Sequence, residues 1–186
     1  MDNERHLSRE ELEAGLADIR QSPRDRGAVQ MIVRRPDTDK RETLTRGELD
    51  TTEGLIGDNW LSRGNPRTAD GCADPEMQLN IMNTRVIALV AIIRDRWPMA
   101  GDQLFVDMDL SKENLPAGTR LQLGTAIVEV TSMPHTGCKK FVARYGLEAM
   151  KFVNSGLGKQ LCLRGIHAKI VKSGACEVGD IVCKLS

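Results

Sequence analysis

The sequence predicts a mainly β fold with a few helices, closed into a β-barrel core. Three observations lead there. Short β-branched and apolar runs recur along the 186 residues, at 29–34, 104–108, 119–123, 126–131, 164–172 and 177–185. Turn chemistry separates them at close intervals. Only two or three stretches carry the helical period.

In chain order, Ser8 opens a capping box with Glu11 at N3, and Leu12, Leu16 and Ile19 follow at helical spacing. Glu10, Glu11 and Glu13 suit the positive end of that helix, and Pro23 and Gly27 end it. Residues 1–27 are therefore expected to form a helix and lead-in leaning on a barrel domain over 28–186, with a partner-binding helix as the functional alternative. Residues 29–34 and 41–45 flank the turn at 36–40 and read as a hairpin. The stretch 54–75 holds Gly54, Gly57, Gly64 and Gly71 without clear periodicity. Loops this long are usually functional, so it is expected to line a site. Residues 77–82 read as a buried strand, and Asn83 caps a helix over 84–95 that Pro98 stops, with Val86, Ile87, Val90 and Ile93 on one face. Residues 104–108 alternate. Gly124-Thr125 joins 119–123 to 126–131 as a second hairpin. Residues 141–153 read as one helix, with Phe141, Tyr145, Ala149 and Phe152 at helix-compatible spacings; 164–172 and 177–185 read as a final strand pair around Ser173-Gly174.

Composition narrows the function classes. Hydrophobic residues make up 40% of the chain, enough for a core, and aromatics only 3%, which leaves few platforms for stacking bases. Lys+Arg and Asp+Glu both number 26, so no global field draws the chain onto phosphate backbones or acidic lipid. The longest apolar stretch, 86–93, stops at Arg94, short of the roughly 20 residues a membrane span needs. Residues 1–9 carry mixed charge and no hydrophobic secretory core. Five dispersed cysteines with no CxxC pair argue against a disulfide framework or a zinc knuckle. A cytoplasmic protein acting on a small molecule is the expectation, with no nucleic-acid or membrane partner.

The chemistry concentrates at 129–141, EVTSMPHTGCKKF. A strand ends at Pro134, and His135, Thr136 and Gly137 then present Cys138, followed by Lys139 and Lys140. A helix starting at Phe141 would bring its positive end near Cys138, and that end and adjacent ammonium groups favour thiolate over thiol. His135 can serve as acid or base. The pattern predicts a nucleophilic or metal-ligating sulfur, against the plain alternative of an ordinary buried cysteine. Cys162 and Cys183 fall in strand-like runs and Cys176 near a turn, while Cys72 sits in the long loop as the one credible second thiol. His167 reads as structural and His6 as without a role; Asp58 either caps the long loop or takes part in chemistry.

PHTGC after a strand, the upstream AGDQLFV and LPAGTRLQLGTAIVEV, the downstream LRGIHAKIVKSGACEVGDIV, GLIGD at 54–58 and MQLNIMN at 77–83 stand in an order that resembles the MOSC family, over roughly residues 28–185. The resemblance implies a MOSC-type β-barrel like the barrel domain of pyruvate kinase. It also implies a cysteine, here Cys138, that either ligates the molybdenum of a pterin cofactor or carries sulfur. Arg164 and Gly165 match the family's Arg-Gly segment near the pocket. Asp102 and Gln103, after Gly101, stand where the family has Glu and Asn, a departure of one methylene each. Cofactor-binding residues are thus expected at Thr136, Lys139, Arg164, Gly165, Asp102 and Gln103, with Cys138 as metal ligand and Cys138 and His135 as catalytic groups. Soft thiolate suits molybdenum, and Arg164, Lys139, Lys140 and Arg63 are candidates for the molybdopterin phosphate.

Three readings follow. In the first, the chain is a molybdenum-cofactor oxidoreductase that reduces N-hydroxylated compounds. The chain has no iron–sulfur, flavin or nicotinamide fingerprint, so a separate electron-donor protein is required. In the second, Cys138 carries a persulfide supplied by a separate cysteine desulfurase. In the third, the barrel is a binding module without catalysis.

Overall fold

The computed structural model describes residues 5–185. Among these, seven strands close into a barrel. β1 (Arg26–Arg34) pairs with both β6 (Leu104–Asp107) and β11 (Ile181–Lys184). The circuit runs on through β7 (Arg120–Leu123), β8 (Ala126–Val130), β9 (Ile166–Lys172) and β5 (Leu79–Asn83), which returns to β6. Only β5 and β6 run parallel; the other neighbours are antiparallel. β2 (Glu42–Leu44) continues β1 as the expected hairpin. A small sheet of β3 (Arg46–Asp50), β4 (Gly54–Leu55) and β10 (Gly174–Glu177) adds Leu49, Leu55 and Cys176 to the barrel core. This is the MOSC-type β-barrel, mainly β with a few helices.

Strand faces divide the apolar residues into two cores. Val29, Ile32, Ile81, Leu104 and Val106 point into the barrel; Met31, Val33, Met82 and Phe105 point out under the helices. A register shift between Val29 and Met31 allows Val29 and Ile32, three apart, to face the same way. β6 is buried on both faces, so its expected alternation is replaced by a continuous apolar run, as a strand covered on both sides requires.

The outer layer corrects several expectations. The N-terminal helix is two pieces, α1 (Arg9–Ala14) and α2 (Leu16–Ile19), parted at Gly15, where Leu89 fills the space a Cβ would need. The capping box at Ser8 and Glu11 forms, and Leu12 and Ile19 pack into the outer core. α4 (Thr84–Ala91) starts at Asn83, whose Oδ1 accepts from the Arg85 and Val86 amides, a cap worth about 1 kcal/mol. It ends earlier than expected, at Ile92 (φ +66), and a 3-10 turn over Arg94–Ala100 takes the following residues. Pro98 lies inside that turn, where its missing N–H is tolerated, and Ile93 is 55% exposed rather than on the buried face. The helix expected over 141–153 is likewise two, α5 (Lys139–Tyr145) and α6 (Leu147–Asn154), broken at Gly146, whose φ of +88 only glycine adopts freely. Phe141, Tyr145, Ala149 and Phe152 are buried as the spacing predicts.

The last two strands do not pair with each other: β9 lies between β5 and β8, β11 between β1 and β7. Barrel closure, a long-range demand, separates them. The stretch 54–75 is partly ordered by β4 and α3 (Trp60–Arg63). Among the described residues no helix is long and apolar enough to cross a membrane.

Candidate functional site

The loop after β8 carries the thiol. Asn154, last residue of α6, clamps it: its Oδ1 accepts the Gly137 N–H at 2.8 Å and its Nδ2 donates to the Gly137 carbonyl at 3.0 Å. Cys138 follows as the N-cap of α5, which starts two residues earlier than expected, and its side chain is exposed.

Cys138 opens onto a cavity of about 180 Å³ lined by Arg35, Arg41, Arg63, Lys140, Arg144 and Arg164, against two carboxylates, Asp37 and Asp39. The gathering has a local cause. Four successive carbonyls, at the end of the 3-10 turn and just beyond, each accept from a different arginine. Arg41 Nε donates to Pro98 O (3.2 Å), Arg144 Nη1 to Met99 O (2.5 Å), Arg164 Nη2 to Ala100 O (3.0 Å) and Arg35 Nη1 to Gly101 O (2.8 Å). Carbonyls at a helix C-terminus attract cations, and here they draw in arginines from three separate segments, the β1–β2 hairpin, α5 and the approach to β9. Arg35 is fixed further by the buried carboxylate of Asp58, at 2.8 Å. Asp58 also accepts from the Trp60 amide, so it anchors the start of the long loop. Arg41 and Arg63 form no ion pair among the described residues. Burial and neighbouring arginines push both guanidiniums below their usual value, as expected of cations short of counter-charge.

The expected site residues fall into three places. Cys138 and Arg164 reach the arginine cavity, with Lys140 and Arg63. His135, Thr136 and Gly165 line a second cavity of about 570 Å³ on the other side of the loop. Lys139 is exposed and lies on neither wall. Arg164 Nη1 meets both oxygens of Asp102, at 3.0 and 2.8 Å, and stands over the Phe141 ring. Asp102 is fully buried; that burial pushes its carboxyl up, against the pull of Arg164. Gln103, also buried, uses its side chain on the β5 strand and its approach, accepting from Asn80 N at 2.8 Å and donating to Gln78 O at 3.3 Å. Gly165 has φ +105, and a Cβ there would stand 2.4 Å from Ile81 O, so only glycine lets β5 approach.

His135 packs on His167 with ring centroids 4.4 Å apart, and its Nδ1 lies 3.7 Å from Asp102 Oδ1. Burial and the nearby Arg164 hold His135 well below the usual imidazole value, so it is neutral near neutral pH. His167 bonds Asn80 Oδ1 at 2.8 Å and, mainly through burial, is held at about 4. Among the other thiols, burial pushes Cys176 up to about 12 and raises Cys162, while Asp70 raises the exposed Cys72. Cys162 lies in a turn with φ +49 and not in a strand, and Cys176 lies within β10.

Asn154, Arg35, Arg41 and Arg144 join the site without a signal in the sequence. They come from distant segments, and no local spacing marks them.

The donor set fits an anionic group bearing a soft metal: an exposed thiol, cations in excess, and a buried Asn59 Oδ1 without a partner on the same wall. Among the described residues no three His, Cys, Asp or Glu side chains gather to hold a metal ion. If such a group binds here, Cys138 is the residue that would hold its metal. At about 180 Å³ the cavity is smaller than the roughly 300–1,000 Å³ usual for small-molecule sites.

Barrel, helical layer and loop-borne thiol define a protein of the MOSC-type β-barrel fold. Among solved structures, the chain is similar to the YuaD protein from Bacillus subtilis, at 18% identity and a TM-score of 0.62, covering 84% of this chain and 94% of that one. It is also similar to YiiM from Escherichia coli, at 17% identity and a TM-score of 0.55, covering 86% and 70%. YiiM from Geobacillus stearothermophilus matches at 12% identity and a TM-score of 0.56, covering 86% and 75%. At these identities the likeness is one of fold. No protein-family model and no curated protein matches the sequence.

Proposed function

We propose that the chain is a MOSC-family oxidoreductase that binds molybdenum cofactor through Cys138 and reduces N-hydroxylated compounds with electrons from a separate donor protein. The observation that carries this reading is the exposed Cys138 thiol at the edge of a cavity with six cationic and two acidic side chains. Arg63 and Arg41, short of counter-charge, are the residues to hold the cofactor phosphate. Arg35 and Arg164, committed to Asp58 and Asp102, add fixed positive charge behind them. When bound, the cofactor supplies the two-electron redox chemistry. The chain orients it at Sγ of Cys138; His135 lines the separate, larger cavity rather than this one.

Protein purified from a cofactor-competent host should contain molybdenum by elemental analysis. Cys138→Ser should lose it, and Arg63→Glu should retain less than the parent. Molybdenum-free parent protein from such a host overturns the reading. Exposure of the thiol equally suits a persulfide carrier. A reductant-labile adduct of one sulfur atom on Cys138, seen by native mass spectrometry in metal-free protein, would favour that function.

A further inference from the structure

The larger cavity is not part of the arginine site. At about 570 Å³ it lies within the usual range for small-molecule pockets, and it shares no lining residue with the arginine cavity. One short partition separates them: Thr136 and Gly165 face the larger space, while Cys138 and Arg164 face the smaller.

Its walls are largely carbon, from Leu115, Pro116, Ala117, Val130, Met133 and Ile166. Two cations, Lys112 and Lys159, stand on the lining, both exposed and without an ion pair among the described residues. They lie on adjoining segments, since Lys112 N donates to Gln160 O at 3.0 Å. The wall also includes His135, whose side chain is 9% exposed and whose buried Nδ1 has no hydrogen-bond partner. A neutral imidazole offers one donor and one acceptor. An apolar chamber with two unpaired cations on its lining calls for an amphiphilic anion.

We propose that this cavity is a binding site for a small apolar carboxylate, its hydrocarbon body against the Leu115–Ala117 and Ile166 walls and its charge toward Lys112 and Lys159. The site does not depend on what Cys138 holds.

The probe is naphthoate, with the neutral naphthamide as its isostere, titrated calorimetrically against the purified protein. Naphthoate should bind the parent. Ala117→Trp, at an exposed loop position, should fill the chamber and weaken both probes about tenfold or more. Lys112→Glu with Lys159→Glu should weaken naphthoate about tenfold and leave naphthamide within about twofold. Arg63→Glu should change neither. Absence of naphthoate binding to the parent overturns the proposal, as does full binding to Ala117→Trp. Equal losses for both probes in the lysine variant remove the carboxylate assignment. A loss in Arg63→Glu would transfer the ligand to the arginine cavity. Thermal melts of each variant, unchanged from the parent, keep loss of fold from imitating these results.

Discussion

Asp102 sits where the sequence offers a shorter acid than the family pattern, and the structure gives it a demanding position. It is fully buried, joined to Arg164 by two contacts and adjacent to His135. Removing one partner of a buried pair leaves the other charge desolvated and unmatched. Asp102→Ala should therefore lower stability by roughly 3–5 kcal/mol in urea unfolding. A loss below about 1 kcal/mol would mean that Arg164 finds another partner, and the pair would not be a foundation of the site. Cys138, which lines the same cavity as Arg164, is exposed at the N-cap position of α5. Among the remaining cysteines, Cys176 is buried, Cys162 and Cys183 are partly buried, and Cys72 is exposed beside Asp70. The sequence marked Cys138 by its neighbours, a strand ended at Pro134 and a loop ahead of a helix, while an ordinary buried cysteine stayed as the alternative and Cys72 as a second thiol.

At the scale of elements, the loop from Pro134 to Cys138 is held by a side chain from a different helix. Asn154 makes two hydrogen bonds to the Gly137 peptide, each worth about 0.5–1.5 kcal/mol. Asn154→Ala should raise the hydrogen-exchange rate of the Gly137 amide about tenfold, with β8 amides unchanged. Equal protection in the variant would show the loop held by packing alone. The 3-10 turn and Gly101 after it act in the same way, their carbonyls orienting four arginines. Local pattern located both helices but misjudged their lengths. Gly15 and Gly146 were visible as glycines, yet whether a helix runs through one depends on the neighbours: Leu89 crowds Gly15, and Gly146 adopts a positive φ.

Across the whole molecule, two buried histidines couple folding to pH. The unfolded chain takes up a proton near 6.5, whereas folded His167 does so at about 4 and His135 also well below the ordinary value. Both pKa values are lowered by folding, so their contribution is complete above pH 6.5 and lost as pH falls below it, for His167 down to about 4. For His167 the gap corresponds to roughly 2–3 kcal/mol between pH 7 and 4.5. Urea unfolding at those two pH values should show the loss, and His167→Gln should reduce it. An identical pH dependence in that variant would assign the acid sensitivity to other groups.

By itself the sequence determined the alternation that builds a barrel, the capping of its first and fourth helices, and the loop that presents Cys138. These depend on side-chain period and on caps within a few residues, which are local. Tertiary structure decided which strands pair, how β11 closes on β1, and which arginines surround the thiol. Those contacts join residues as far apart as Arg35 and Arg164, and only the closed chain brings them within hydrogen-bonding distance of one run of carbonyls.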